Sequence, residues 1–149
     1  MELHFEAVTA ENKDTALSLN VALGQKGLVE SVAQCLGEAE AYSVWKPVII
    51  YDGENAVGFA MYGFFAEEYE GGRVWLDRFF IDGRFQGHGY GDAALKGLID
   101  RLQQEYGRRE IFLSVVDEKI PAVKLYQKYG FQFNGERDIN GEQVMILKG

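Results

Sequence analysis

At 149 residues, with 47% apolar and 26% charged side chains, the chain has the size and balance of one globular domain; disordered, collagenous and coiled-coil classes are excluded. Fifteen Lys and Arg against twenty-three Asp and Glu leave a net charge of −8, a field that repels phosphate backbones and attracts cations, so nucleic acid is not an expected partner. A lone Cys35 allows no internal disulfide, no apolar run reaches the roughly 20 residues a bilayer crossing needs, and Met1-Glu2-Leu3-His4-Phe5 lacks a signal-peptide profile; a cytoplasmic chain with no membrane partner is the expectation.

Leu3 to Val8 alternates apolar and polar residues and predicts a strand. A helix is expected from near Thr9, with Glu11 in its first turn, to about Leu19. Ser31 stands three residues before Gln34, the spacing of a capping box, and opens a second helix whose stripe Val32, Cys35, Leu36 and Ala39 makes Cys35 a packing residue rather than a nucleophile. Val48–Tyr51 and Ala56–Phe65 flank Asp52-Gly53-Glu54-Asn55 as a hairpin, and Arg73–Ile81 follows as a third meander strand. After a glycine-rich turn, Asp92–Tyr106 carries one stripe of Leu95, Leu98 and Leu102 and ends at Gly107. Glu110–Val116 is a strand, Pro121–Tyr129 a short helix with proline in its first turn, and Asn140-Gly141 turns Phe131–Ile139 into Gln143–Leu147. The order β-α-α-β-β-β-α-β-α-β-β predicts one α/β domain over residues 1–149. Its mixed, mostly antiparallel sheet has about seven strands, four helices and a βαβ crossover from Arg73–Ile81 to Glu110–Val116.

Gln86-Gly87-His88-Gly89-Tyr90-Gly91 lies between a strand and a helix, where glycines let backbone N–H groups approach a ligand at the helix's positive end. Taken alone it fits a phosphate seat or an ordinary turn. Gly91 is followed by Asp92-Ala93 rather than Lys-Ser/Thr, which disfavours a Walker loop, and three meander strands come first, which disfavours a Rossmann site.

About forty residues on, Ala122-Val123-Lys124-Leu125-Tyr126-Gln127-Lys128-Tyr129-Gly130-Phe131 sets a tyrosine inside a short amphipathic helix that ends at glycine. Together with Gln86-x-x-Gly89-x-Gly91, this pattern resembles the GNAT superfamily of N-acetyltransferases, and the resemblance covers nearly the whole chain. Within it, Trp75-Leu76-Asp77-Arg78-Phe79-Phe80-Ile81-Asp82 running into Arg84-Phe85-Gln86-Gly87 looks most like the bacterial spermine/spermidine enzymes.

The resemblance implies an enzyme that moves acetyl from acetyl-CoA to a primary amine. It implies that Phe79, Phe80 and Ile81 pair with the pantetheine arm as with an added strand, and that Gln86, Gly87, His88, Gly89, Tyr90, Gly91 and Asp92 hold the pyrophosphate. It makes Tyr126 the general acid for the departing thiolate, a role a phenol of pKa near 10 can fill; the other reading is an interface aromatic with a satisfied hydroxyl. Many members carry Asn where this chain has Lys119; Lys119, Lys124 and Lys128 are candidates for the 3′-phosphate or solvated lysines, and His88 lends charge to the pyrophosphate or is an exposed spacer. A homodimer is also implied.

On the acceptor side, an amine arrives protonated and must lose a proton before it attacks. Asp77 is the candidate base, since period-two alternation sets it with Trp75, Phe79 and Ile81 on one face; an ion pair is the competing reading. A polyamine groove would combine carboxylates with aromatic walls. Glu30, Glu38, Glu40 and Trp45 gather around the second helix, which forms the acceptor lid in the superfamily, and Tyr62 lies on a neighbouring strand. Two histidines and one cysteine without ligand spacing predict no metal site. Acetylation of a protein N-terminus, amino acid or aminoglycoside, and a non-catalytic CoA-binding module, stand as alternatives.

Overall fold

The computed structural model describes residues 2–21, 31–68, 70–107 and 109–149. In order these form β1 (Leu3–Ala7), α1 (Lys13–Leu17), α2 (Val32–Ala41), β2 (Trp45–Asp52), β3 (Asn55–Phe65), β4 (Arg73–Ile81), α3 (Tyr90–Tyr106), β5 (Ile111–Val115), α4 (Pro121–Lys128), β6 (Gln132–Arg137) and β7 (Gln143–Leu147). The expected order holds.

Boundaries move for local reasons. The Asn12 side chain accepts from the Thr9 N–H and donates to the Ala7 carbonyl, which keeps 9–12 in a turn and delays α1 to Lys13. The capping box forms at α2, Ser31 and Gln34 each accepting the other's backbone N–H. The β6–β7 turn starts early because Asp138 Oδ1 accepts the N–H groups of Asn140 and Glu142, so β6 stops before Ile139.

The strands form one sheet in the order β1-β2-β3-β4-β5-β7-β6, antiparallel except where β4 meets β5. Helices bury their stripes on both faces. Leu95, Leu98 and Leu102 of α3 and Val123 of α4 pack on one side with Ala60, Val74 and Leu113; Ala16 of α1 and Val32, Cys35 and Leu36 of α2 cover Ile49, Phe59 and Met61 on the other. Cys35 is fully buried there, as its stripe predicts.

Two irregularities position the site. The parallel pairing of β4 with β5 consists of Val74–Ile111 and Trp75–Phe112 alone, so the strands part beyond Trp75. On the other edge, Tyr62 pairs with Leu76 and Met61 with Arg78, leaving Asp77 as the extra residue of a β-bulge. The bulge overturns the single face expected for Trp75, Asp77, Phe79 and Ile81: Leu76, Phe79 and Ile81 pack toward α3, while Phe80 joins the α2 side.

Candidate active site

The free edge of β4 has a defined polarity. The Asp82 N–H donates to Val57 on β3, so by alternation Phe80 also faces β3, whereas Phe79 and Ile81 turn their peptide groups toward the gap that opens beside β5. Gln86 Nε2 donates to the Ile81 carbonyl at 2.9 Å, fixing the strand's end to the turn that follows. Gly58, opposite Ile81, allows β3 to lie this close: a Cβ there would stand 2.6 Å from the Phe80 oxygen.

The turn leads into α3 through Gly87 and Gly89, both at φ +82, a conformation that L side chains rarely adopt, with open space where a Cβ would be. Gly89 is the N-cap and has no side chain to offer, and Ala93 is the first residue to donate back into the helix, to the Gly89 carbonyl. The N–H groups of Tyr90, Gly91 and Asp92 therefore lack intrahelical acceptors, and the positive end of a 17-residue helix meets the end of the free edge. Gly91 is where three elements meet, its Cβ position lying 3.7 Å from Leu125 of α4 and 3.9 Å from Ile81 of β4.

Side chains predicted for the pyrophosphate are largely engaged elsewhere. Tyr90 donates to Asp52 Oδ2 at 2.6 Å and ties α3 to the β2–β3 turn. Asp92 accepts from Lys128 and from the Tyr129 hydroxyl, and the Lys128 ammonium beside it holds its carboxyl below the usual range. Asp92 and Lys128 thus clamp α3 to α4, and what Asp92 offers an anion is its backbone N–H. His88 is exposed. Lys119 and Lys124 line an open groove of about 720 Å³ with Val123 and Phe133, so the three lysines do not converge on one point.

Tyr126 sits on α4, 8% exposed, its ring edge-on to Phe131 at 5.8 Å. Burial pushes its pKa up to about 12, so the phenol keeps its proton at any physiological pH. The Asp77 carboxylate lies 3.5 Å from Arg78 Nη1, which also donates to the Asp77 carbonyl at 2.7 Å, so the neighbouring cation favours its charged, proton-accepting form. Neighbours in a regular strand point apart; the bulge brings these two together.

The acceptor residues separate. Trp45 packs edge-on to Phe65 at 4.8 Å and Glu38 is half-buried on α2, both on the α2 side. Tyr62 is a correction. It is 1% exposed on the α3 side, accepts from Arg101 Nε at 3.0 Å, and cannot wall a groove beneath α2, because alternation along β3 turns Phe59 and Met61, not Tyr62, to that side. Glu40 is exposed and lies 3.9 Å from Lys13, and Glu30 lies outside the described residues.

Asp82 had no role in the sequence reading. Its buried carboxylate accepts the N–H groups of Asn20 and Arg84 and the Arg84 guanidinium, while the Gly83 N–H donates to the Asn20 carbonyl. Burial raises its pKa, and these hydrogen bonds outweigh burial and leave it lowered. Asp82 so fastens the chain after α1 to the glycine turn. The run Asp82-Gly83-Arg84 carried the signal of a side-chain-capped turn, but not its partner 62 residues away. Among the described residues no three His, Cys, Asp or Glu side chains come together as a metal-binding group, and no helix is long and apolar enough to cross a membrane.

A sheet that splays after two parallel pairs, beside a glycine turn feeding a helix N-terminus, is the arrangement of an acyl-CoA-dependent transferase fold. The pattern of the Acetyltransferase (GNAT) family matches residues 19–131, and the chain belongs to that family. It is 47% identical over 149 residues, 98% of each chain, to a spermine/spermidine N(1)-acetyltransferase of Bacillus subtilis (strain 168). Among solved structures it resembles AAC(6′)-Ib in complex with paromomycin and acetyl-CoA (TM-score 0.81, 16% identity, 99% of this chain and 94% of that one). It also resembles a spermidine N-acetyltransferase chimera from Vibrio cholerae and hSSAT (TM-score 0.73, 19% identity, 99% and 96%). At such identities these two bear on the fold alone.

Proposed function

We propose that this protein transfers acetyl from acetyl-CoA to a primary amine of a polyamine, spermidine or spermine, by direct attack in a ternary complex. The observation that carries acetyl-CoA use is the free β4 edge in line with the uncapped end of α3. The acceptor class rests on the identity to the Bacillus enzyme across both chains, and the charge of −8 favours a polycation.

Bound acetyl-CoA supplies an acetyl group activated as a thioester. Phe79 and Ile81 offer peptide groups to its arm, and the N–H groups from Gly87 to Asp92 offer donors to its diphosphate, with open space above Gly87 and Gly89. Asp77 takes one proton from the ammonium and passes it to solvent, which frees the nitrogen lone pair; the nitrogen then bonds to the acetyl carbon and sheds its second proton to water as the carbon–sulfur bond breaks. Tyr126 donates its phenolic proton to the departing sulfur and recovers one from water; its buried ring keeps that proton available until then. Trp45 and Glu38 border the acceptor on the α2 side.

Thiol release measured across a panel of amines tests the reading. Spermidine and spermine should lead; release with an aminoglycoside, amino acid or N-terminal peptide but none with polyamines would reject it. A cytoplasmic homodimer belongs to the same proposal, and sedimentation at a monomer's rate at micromolar concentration would remove the dimer from it.

A further inference from the structure

Trp45, Gly63, Trp75, Phe112 and Ile146 occupy one register row across β2, β3, β4, β5 and β7. Paired positions share a face, and Gly63 follows Phe59 and Met61 by alternation, so the row lies on the α2 side of the sheet. Its Trp75–Phe112 pair, ring centroids 5.4 Å apart, is also the last rung before β4 and β5 separate. Trp75, partly exposed over a buried Phe112, therefore floors the apex of the cleft on the face opposite α3 and α4. Asp77 follows two residues on, about 7 Å along a strand.

Glu68, from the β3–β4 connection, reaches to this apex and accepts from Trp75 Nε1 at 2.7 Å. It is half-buried, and among the described residues its bonding partner is this neutral indole, with no basic group at ion-pair distance. The arginines of this face are engaged: Arg73 lies 4.1 Å from the centre of the Phe112 ring and forks onto Glu136 at 2.8 and 2.9 Å, and Arg78 faces Asp77. A half-buried carboxylate fixed against an indole, with no basic group at ion-pair distance among the described residues, is a seat for a cation.

Resting on the polyamine reading above, we propose that Glu68 is a specificity-determining residue. It binds the second ammonium of the acceptor, one methylene segment behind the primary amine delivered to Asp77, with the intervening carbons on Trp75. A monoamine has nothing to place there.

The test compares kcat/KM for spermidine with that for n-butylamine in the wild type, Glu68→Gln and Trp75→Phe, with the thermal shift given by acetyl-CoA as the measure of folded, cofactor-competent protein. Glu68→Gln should cut the spermidine-to-butylamine ratio roughly ten- to hundredfold, the scale of a lost charge-assisted hydrogen bond, and act mainly through KM. Trp75→Phe keeps a ring but releases the carboxylate, and should lower the ratio by less. An unchanged ratio in Glu68→Gln, or equal losses with both amines, overturns the role of Glu68 while leaving polyamine turnover standing. A wild type that releases no thiol with spermidine overturns the polyamine reading and this inference with it.

Discussion

The two halves of β4 obey different rules. From Arg73 to Trp75 the strand has neighbours on both edges and its side chains alternate regularly; from Asp77 to Ile81 one edge is open and a bulge has turned the side chains over. The closed half resembles any central strand, and its work is to hold the sheet together. The open half leaves the N–H groups of Phe79 and Ile81 without a strand partner at the centre of a sheet, a cost that an added strand-like ligand offsets. The proposed function places the acetyl-CoA arm where the sheet is left incomplete.

That contrast can be broken most severely through Tyr126, the proposed general acid. Tyr126→Phe should lower kcat by roughly 10²- to 10⁴-fold, the range for general acid catalysis, with the acetyl-CoA Kd nearly unchanged; wild-type turnover would remove the assignment. Gly58→Ala is the next largest. Its methyl would meet the Phe80 oxygen at 2.6 Å, backbone against backbone, so a loss of about 1–3 kcal/mol in urea unfolding is expected, together with weaker acetyl-CoA binding. Gly89→Ala sharpens the comparison, because nothing lies within 4 Å of the new methyl: strain at φ +82 should cost about 1–2 kcal/mol, and acetyl-CoA affinity should fall further than stability.

The smallest effect is on pH dependence. Tyr126 and Tyr62, raised by burial to about 12 from an ordinary 10, stay neutral in the folded chain after the unfolded chain has begun to ionise. The unfolded state then binds fewer protons, so stability is full below pH 10 and declines as pH rises toward 12. Denaturation midpoints measured across that window should fall less steeply in Tyr126→Phe; an identical slope would show that the ring is not held neutral by burial.

Much of the fold, including the turn and helices of the proposed cofactor side, was legible in the sequence because its signals are local. The glycines of Gln86–Gly91, the proline opening α4, the Ser31–Gln34 capping box and the Asn140-Gly141 turn each state their geometry within a few residues. The acceptor side was not legible, because its geometry is set across strands. A bulge at Asp77 exists only in the pairing of β3 with β4, and it reversed the face assigned to the residues around it. The strand of Tyr62 alone does not give the direction of its ring, which depends on which side of β3 each helix covers. Glu68 reaching Trp75 and Asn20 reaching Asp82 are contacts between segments whose sequences carry no mark of each other.

The central claim is that the edge of β4 beyond Trp75 receives the arm of acetyl-CoA as a strand. Residue-resolved amide hydrogen exchange with and without CoA tests it directly. Slower exchange at Phe79 and Ile81, with Phe80 unchanged because its N–H already faces β3, is the expected result. Equal rates at Phe79 and Ile81 with CoA bound at saturation would contradict it.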